Sequence, residues 1–253
     1  DPITVAHETS GNSGLPTEGS YKVNEVYAEL SVPIVEKVPF ADTLELVAAA
    51  RGSWYSNFGS TFNYKLGARW SPIEDVTLRG TYSTAFRAPN IQELFGGVGD
   101  TFANVTDPCA AGVAPGSARA RNCGAAANNG EDKTQLRSRI GGNPELDPET
   151  ARIFTAGLVL RPRNAKNVSF TVDYFNTKVE KTIASVGENV ILQSCYPNAQ
   201  GQSPQFCEFI TRDPVTQRVT YMNNLKANTG TELLDGLDFA GQYDLDTRAG
   251  SFS

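Results

Sequence analysis

Arginines and aromatic residues in the regions rich in glycine, asparagine and proline are the side chains of this sequence best suited to bind a ligand. Arginine forms strong hydrogen bonds with anionic groups, and aromatic rings stack on flat ligand faces such as those of sugars. Binding residues concentrate on loops carried by a rigid scaffold, so we take these residues as candidate ligand contacts. The candidates are Arg87, Phe95, Phe102, Arg119, Arg121, Tyr196 and Phe206. Arg137, Arg139 and Phe209 lie in the same regions, and for Arg87 a simple ion pair with a carboxylate is an equally good explanation.

The sequence gives little indication of a catalytic site. His7 is the only histidine and precedes the first predicted strand, so its position favours a terminal arm over a catalytic base. The sequence contains no G-x-S-x-G, Walker or HExxH motif. The segment 128–132 lacks the alternating acidic spacing of a calcium-binding loop. We therefore predict no catalytic residue, no metal site and no cofactor, and we expect that the chain is not an enzyme.

The four cysteines form two local pairs, Cys109 with Cys123 and Cys195 with Cys207. Four cysteines allow three connectivities, and the nearest-neighbour scheme is favoured because each pair lies within its own loop. An even number of cysteines in such loops indicates an oxidising compartment, with free thiols as the alternative. Neither pair has CxxC spacing, which argues against zinc.

The net charge of the sequence indicates which classes of binding partner are unfavourable. The formal net charge is -6 and the isoelectric point is near 5.0, which argues against nucleic acid. No apolar run approaches the length of a transmembrane helix.

Alternating strands are the elements that must position the candidate residues. In residues 61–70, Phe62, Tyr64 and Leu66 share one face, whereas Lys65 and Arg69 share the other. The same period of two recurs along the chain, in segments about ten residues long, which is the length of a tilted membrane-spanning strand. The polar face would then line a lumen, because lipid does not solvate arginine. The predicted strands are 21–32, 43–55, 61–70, 76–86, 151–161, 168–181 and 236–245.

The lengths of the connections separate the two ends of the predicted sheet. Residues 71–75 and 162–167 are short turns at the end that also holds the connection 33–42. The long loops, about 88–150 and 184–218, share the other end with a short hairpin, and 219–235 could extend the last strand. Short turns at one end and long loops at the other are typical of outer-membrane barrels. Residues 1–20 are predicted to be a disordered or loop arm before the barrel segment 21–253.

Four sequence motifs resemble those of the TonB-dependent outer-membrane receptors. The strand that ends in Phe86-Arg-Ala-Pro89 is similar to the family's strand that opens a long extracellular loop. Asn143-Pro-Glu-Leu-Asp-Pro-Glu149 resembles the element that re-enters the barrel. The segments 25–33 and 64–72 are further similar strands, and the motifs occur in the family's order.

The resemblance implies an all-β fold: an antiparallel up-and-down meander of about seven strands from a larger transmembrane β-barrel, which in the family is closed by a plug. It implies an importer in the bacterial outer membrane that captures a scarce small-molecule nutrient. Its partners would be membrane lipid, the receptor's own plug and remaining strands, and TonB through an N-terminal part outside this sequence. Siderophore, haem, cobalamin and oligosaccharide importers share the scaffold, so the ligand stays open. The alternatives are a passive porin-type channel and a soluble β-sandwich surface or adhesin module. From its two ends we expect the sequence to be a fragment.

Overall fold

The computed structural model describes residues 14–130, 134–165, 167–198, 204–247 and 250–252. The described strands are β1 (Val23–Val38), β2 (Ala41–Tyr55), β3 (Gly59–Ile73), β4 (Val76–Arg87), β5 (Gly99–Val105), β6 (Thr134–Gly141), β7 (Glu149–Leu160), β8 (Val168–Ala184), β9 (Ile210–Arg212), β10 (Val219–Leu225), β11 (Ala227–Tyr243), β12 (Leu245–Thr247) and β13 (Gly250–Phe252). The described helices are α1 (Ile91–Phe95), α2 (Ala118–Cys123), α3 (Glu188–Cys195) and α4 (Pro204–Cys207), with a 3-10 turn at Gly124–Ala126. None of these helices is long and apolar enough to cross a membrane.

The chain divides into two compact units. The sheet unit contains 21–88, 147–182 and 230–253, and the loop unit contains the described residues of 1–20, 89–146 and 183–229. The loop unit is therefore assembled from a segment that precedes β1 and two segments that interrupt the strand sequence of the sheet unit.

Seven strands of the sheet unit lie in the order β1-β2-β3-β4-β7-β8-β11. The pairs from β1 to β8 are antiparallel, so the sheet is a meander once the loop-unit segments are left out. The prediction of an all-β antiparallel meander is confirmed.

The two faces of this sheet differ in chemistry as predicted. On the apolar face, Phe62, Tyr64 and Leu66 are 69%, 38% and 55% exposed. On the polar face, Lys65 pairs with Glu29 at 3.3 Å and Arg79 donates to Asp173. A row of large apolar side chains that stays exposed along several strands marks a surface that needs a non-aqueous neighbour.

One predicted boundary is wrong, and another is right only in part. The predicted connection 33–42 is strand up to Val38, and only Pro39 and Phe40 form the turn. Pro33 is tolerated because β1 is an edge strand and its register shifts there by a bulge. In the predicted extension 219–235, β10 belongs to the loop unit, and the last strand of the seven-stranded sheet begins only at Ala227.

The long loops carry secondary structure of their own. In the loop unit a four-stranded sheet has the order β5-β6-β10-β9, with β6 and β10 parallel. Its buried core consists of Val105, Leu136, Ile191, Leu192, Val219 and Met222. The described residues of 89–146 and 183–229 thus fold together around one core.

Two disulfides fasten the loop unit in the predicted local scheme. Cys109 is bonded to Cys123, 14 residues later, and Cys195 to Cys207, 12 residues later. A disulfide that closes a loop of this size stabilises by about 3 kcal/mol through its effect on the unfolded chain.

Part of the predicted N-terminal arm adds to the loop unit. The Leu15 amide donates to the Val98 carbonyl at 2.9 Å, and the Gly97 amide donates to Thr17 Oγ1 at 2.9 Å. Residues 1–13, which include His7, lie outside the described residues.

Candidate functional site

Arg87 lies at the end of β4, where the chain leaves the sheet unit. Its Nε and Nη2 donate to the two carboxylate oxygens of Glu149 at 2.7 and 2.6 Å. Glu149 is its direct register partner at the start of β7. This ion pair joins the two strands at the point where the first inserted segment leaves and re-enters the sheet. It agrees with the ion-pair explanation of Arg87, and ligand contact by Arg87 stays a prediction.

Three aromatic candidates support the loop unit from within. Tyr196 and Phe206 are partly buried and pack against its core. Phe95 ends α1, and its ring is so close to Gly19 that a side chain on Gly19 would collide with it. These contacts give the three residues packing roles.

The two arginine candidates of α2 make local hydrogen bonds. Arg121 Nη1 donates to the Gly116 carbonyl at 2.7 Å, just before the helix. Arg119 Nη2 donates to Gln193 Oε1 of α3 at 3.3 Å. Arg121 is exposed and Arg119 is half-buried.

A buried ion pair between Asp107 and Arg212 joins segments that are 105 residues apart. Two guanidinium nitrogens of Arg212 donate to the Asp107 carboxylate at 2.7 and 2.8 Å, and the side chains are only 11% and 7% exposed. The Arg212 guanidinium also lies 4.8 Å from the centre of the Tyr196 ring. The sequence gives no signal for this pair, because neither residue belongs to a motif.

The pKa values of the pair follow from this geometry. Burial raises the pKa of Asp107, but hydrogen bonds from Arg212, the Cys109 amide and Asn129 outweigh it and hold that pKa below its usual value. Burial lowers the pKa of Arg212, and the hydrogen bonds to Asp107 and Tyr196 more than offset that effect. Both groups are therefore charged at neutral pH, and the pair is a structural centre of the loop unit.

Phe102 differs from the other aromatic candidates, because 49% of it is exposed on the face of the four-stranded sheet that points away from the core. It lies opposite Arg137 of β6, and Asp100 lies opposite Arg139. Residues two apart in a strand share a face, so these four side chains lie together. Arg137 also lies 5.8 Å from the ring centre of Tyr221 in β10. We call Asp100, Phe102, Arg137, Arg139 and Tyr221 the aromatic–arginine face.

The charges on this face are only partly balanced. Arg137 Nε and Nη2 both donate to the same Asp100 oxygen, at 3.0 and 2.8 Å, which raises the pKa of Arg137. Arg139 is exposed and makes no ion pair among the residues that the structure describes. Two guanidinium groups and one carboxylate thus leave a net positive charge beside two aromatic rings.

This arrangement can hold a flat or anionic ligand. The rings of Phe102 and Tyr221 offer apolar surface for stacking, and Arg139 offers a planar set of donors. Among the described residues no group of three or more His, Cys, Asp or Glu side chains could hold a metal ion. Arg137 and Arg139 share the face with Phe102 because they alternate with buried Leu136 and Ser138, a period-two signal that is visible in the sequence.

Comparison with known proteins places this architecture in a known group. The sequence profile of the family described as "TonB dependent receptor-like, beta-barrel" matches residues 4–253. This match covers almost the whole chain.

Solved structures share the fold at low sequence identity. The siderophore receptor PirA from Acinetobacter baumannii matches with a TM-score of 0.55 and 18% identity, over 91% of this chain and 27% of that chain. A ferric enterobactin receptor mutant (PfeA) from Pseudomonas aeruginosa, in complex with enterobactin, matches with a TM-score of 0.54 and 16% identity, over 89% of this chain and 25% of that chain. The chain thus spans about a quarter of the length of these structures.

Proposed function

The chain belongs to the family of TonB-dependent receptor-like β-barrels, and from this premise we propose that it forms part of the wall and the ligand-binding outer loops of an outer-membrane importer. The sheet unit supplies the wall and the loop unit supplies the ligand contacts. The observation that carries the proposal is the seven-stranded sheet with one exposed apolar face and one charged face, over which the family profile matches.

The wall needs further strands to close. The sheet ends in β1 and β11, and a strand edge within the hydrocarbon must be paired because lipid offers no hydrogen bonds. We propose that the remaining strands of the receptor pair with these two edges. The polar face, with its ion pairs between Glu29 and Lys65 and between Arg79 and Asp173, then lines the lumen and faces the plug.

We propose active uptake, in which the plug rearranges with energy delivered through TonB. The solved structures that share the fold include proteins described as siderophore and ferric enterobactin receptors. An anionic iron chelate suits the aromatic–arginine face. Arg139 would meet the negative charge, and the rings of Phe102 and Tyr221 would stack on the chelating groups.

The test uses point variants in the full-length receptor that contains this segment. Deleting residues 96–140 would remove β5 and β6 and unfold the loop unit, so it would not isolate ligand contacts. The double variant Phe102→Ala/Arg139→Gln removes an aromatic surface and a cation while leaving the core of the loop unit intact. Binding of a set of radiolabelled ferric siderophores to whole cells is measured first, and uptake with and without the proton gradient second.

We expect the double variant to bind its ligand roughly tenfold more weakly, which corresponds to about 1.4 kcal/mol. The matched control Arg121→Gln alters an exposed arginine whose hydrogen bond goes to Gly116, and it should bind as the parent does. Unchanged binding by the double variant would contradict the assignment of the site. Uptake that persists without the proton gradient would favour a passive channel.

A further inference from the structure

Arg152 and Lys178 form a cationic pair on the apolar face of the seven-stranded sheet. They lie directly opposite each other in β7 and β8. In β7, Arg152 shares its face with Phe154, Ala156 and Leu158, because these residues alternate with Ile153, Thr155 and Gly157. Two cations thus lie on the side of the sheet that carries its large apolar residues.

The cations lie just beyond the apolar part of their own strands. Phe154 is 44% exposed. Arg152 precedes it by two residues and therefore lies roughly 7 Å closer to the end at which the loop-unit segments are inserted. Phe154 packs beside Tyr174 of β8 with 6.4 Å between the ring centres. Phe154 is the next residue of this face after Arg152 on β7, whereas Asn176 lies between Lys178 and Tyr174 on β8. Cations nearer the end of the strands and aromatic rings below them are the order of chemical groups expected where hydrocarbon meets headgroups.

The neighbouring strand β4 carries different side chains at the level of Arg152. Thr84 of β4 lies opposite Arg152, and the next residue of that face, Phe86, lies opposite Thr150. The apolar surface of β4 thus extends further than that of β7. Strands in a barrel are tilted by roughly 35–45°, so a membrane boundary crosses the sheet obliquely. On β7 and β8 this boundary therefore lies further from the loop-unit end of the strands than it does on β4.

The carboxylate of Glu180 contacts both cations. Glu180 Oε1 accepts from Lys178 Nζ at 2.6 Å, and Glu180 Oε2 lies 3.9 Å from Arg152 Nη2. The Arg152 and Lys178 side chains remain 65% and 39% exposed. Like charges directly opposite on one face are destabilising, and one shared carboxylate leaves an excess positive charge.

We propose that Arg152 and Lys178 bind the phosphate of a lipid headgroup in the outer leaflet. The inference rests on the proposed function, because it needs the apolar face to contact lipid. Arginine offers a planar fork of donors and lysine a point charge, and together they match the oxygens of a phosphate. The long aliphatic stems of both residues let their charged groups reach toward the headgroups, while the acyl chains of the lipid lie along Phe154 and Tyr174. This placement selects a lipid-borne phosphate over free phosphate.

The test measures lipid retained by the purified full-length receptor in detergent. The probe is lipid A, with enzymatically dephosphorylated lipid A as the matched ligand and inorganic phosphate as competitor. We expect Arg152→Gln/Lys178→Gln to retain roughly tenfold less lipid A than the parent, and the parent to discriminate against the dephosphorylated lipid. Inorganic phosphate at the same concentration should not displace lipid A.

The control variant is Arg163→Gln, at the opposite end of β7. Arg163 pairs there with Glu74 and Asp75, and its replacement should leave lipid A retention unchanged. Equal and measurable retention by the double variant and the parent, or equal and measurable retention of both lipids by the parent, would overturn the proposal. If the sheet were not a membrane wall, the parent would retain neither lipid, which separates failure of the proposed function from failure of this site.

Discussion

At the scale of single residues, the buried pair of Asp107 and Arg212 is the contact on which the loop unit depends most. It connects the segment after β5 to β9, and Asn129 also donates to the Asp107 carboxylate at 3.1 Å. Asp107→Asn would leave the Arg212 charge buried without its partner. We expect the free energy of opening of the loop unit to fall by about 3–5 kcal/mol.

Hydrogen exchange of the loop-unit amides in the full-length receptor measures this change, because local opening is read segment by segment. The control is Asp100→Asn, which removes the half-buried partner of the exposed Arg137 and should leave the exchange nearly unchanged. Equal exchange in both variants would show that the buried pair has no special role.

The ion pair of Asp107 and Arg212 predicts that the stability of the loop unit depends on pH. The pKa of Asp107 is held below its usual value, so its stabilising contribution is complete above the usual aspartate pKa of about 3.9. The contribution is lost as the pH falls through the lowered pKa. Protection of the loop unit should therefore hold down to about pH 4 and fall below it, and Asp107→Asn should flatten that fall. An equally steep fall in the variant would assign the acid sensitivity to other groups.

Residue roles could be predicted from the sequence only where they follow the strand pattern. The exposed position of Phe102 follows from the alternation of β5, but the burial of Tyr196 and Phe206 does not. Both pack on a core whose strands come from two distant segments, and pairing over such distances leaves no local trace in the sequence.

At the scale of elements, Gly157 of β7 allows β4 and β8 to interact across it. Arg79 of β4 donates to Asp173 of β8 at 3.0 and 2.5 Å. A Cβ on Gly157 would collide with the Asp173 carboxylate and would lie 2.9 Å from Arg79 Nε. The glycine is thus required by close approach of side chains from both neighbouring strands.

We expect Gly157→Val to break this bridge and to lower the temperature at which the folded receptor converts to its heat-denatured form on an unboiled gel. Gly80→Ala is the control, because a Cβ on Gly80 would meet only the Thr155 carbonyl at an ordinary 3.6 Å. A conversion temperature that is the same for both variants would contradict the bridging role.

The predicted strands and their faces agree with the structure because alternation is a local property. The boundary at 33–42 was wrong because Pro33 suggests a break, and only the neighbour relations of β1 reveal an edge position that tolerates proline. The local disulfides were predictable from cysteine spacing, whereas the parallel pairing of β6 with β10 was not, since their segments are separated by β7 and β8.

At the scale of the whole molecule, a membrane wall requires that the two faces of the seven-stranded sheet meet different surroundings. The apolar face carries Phe62, Tyr64 and Leu66 of β3, and the other face carries Asn63 and Lys65. In a membrane wall the first set contacts hydrocarbon and the second set contacts the aqueous lumen or the plug. In a soluble β-sandwich the first set would instead be buried against protein.

A scan of spin labels along residues 62–66 of β3 in the full-length receptor, reconstituted in liposomes, tests this requirement most directly. The measured quantities are the collision rates of each label with oxygen, which concentrates in hydrocarbon, and with a water-soluble nickel complex. We predict high oxygen accessibility at 62, 64 and 66, low oxygen accessibility at 63 and 65, and a period of two along the strand. The absence of that period, or nickel accessibility at 62, 64 and 66 as high as for a label in water, would contradict the account.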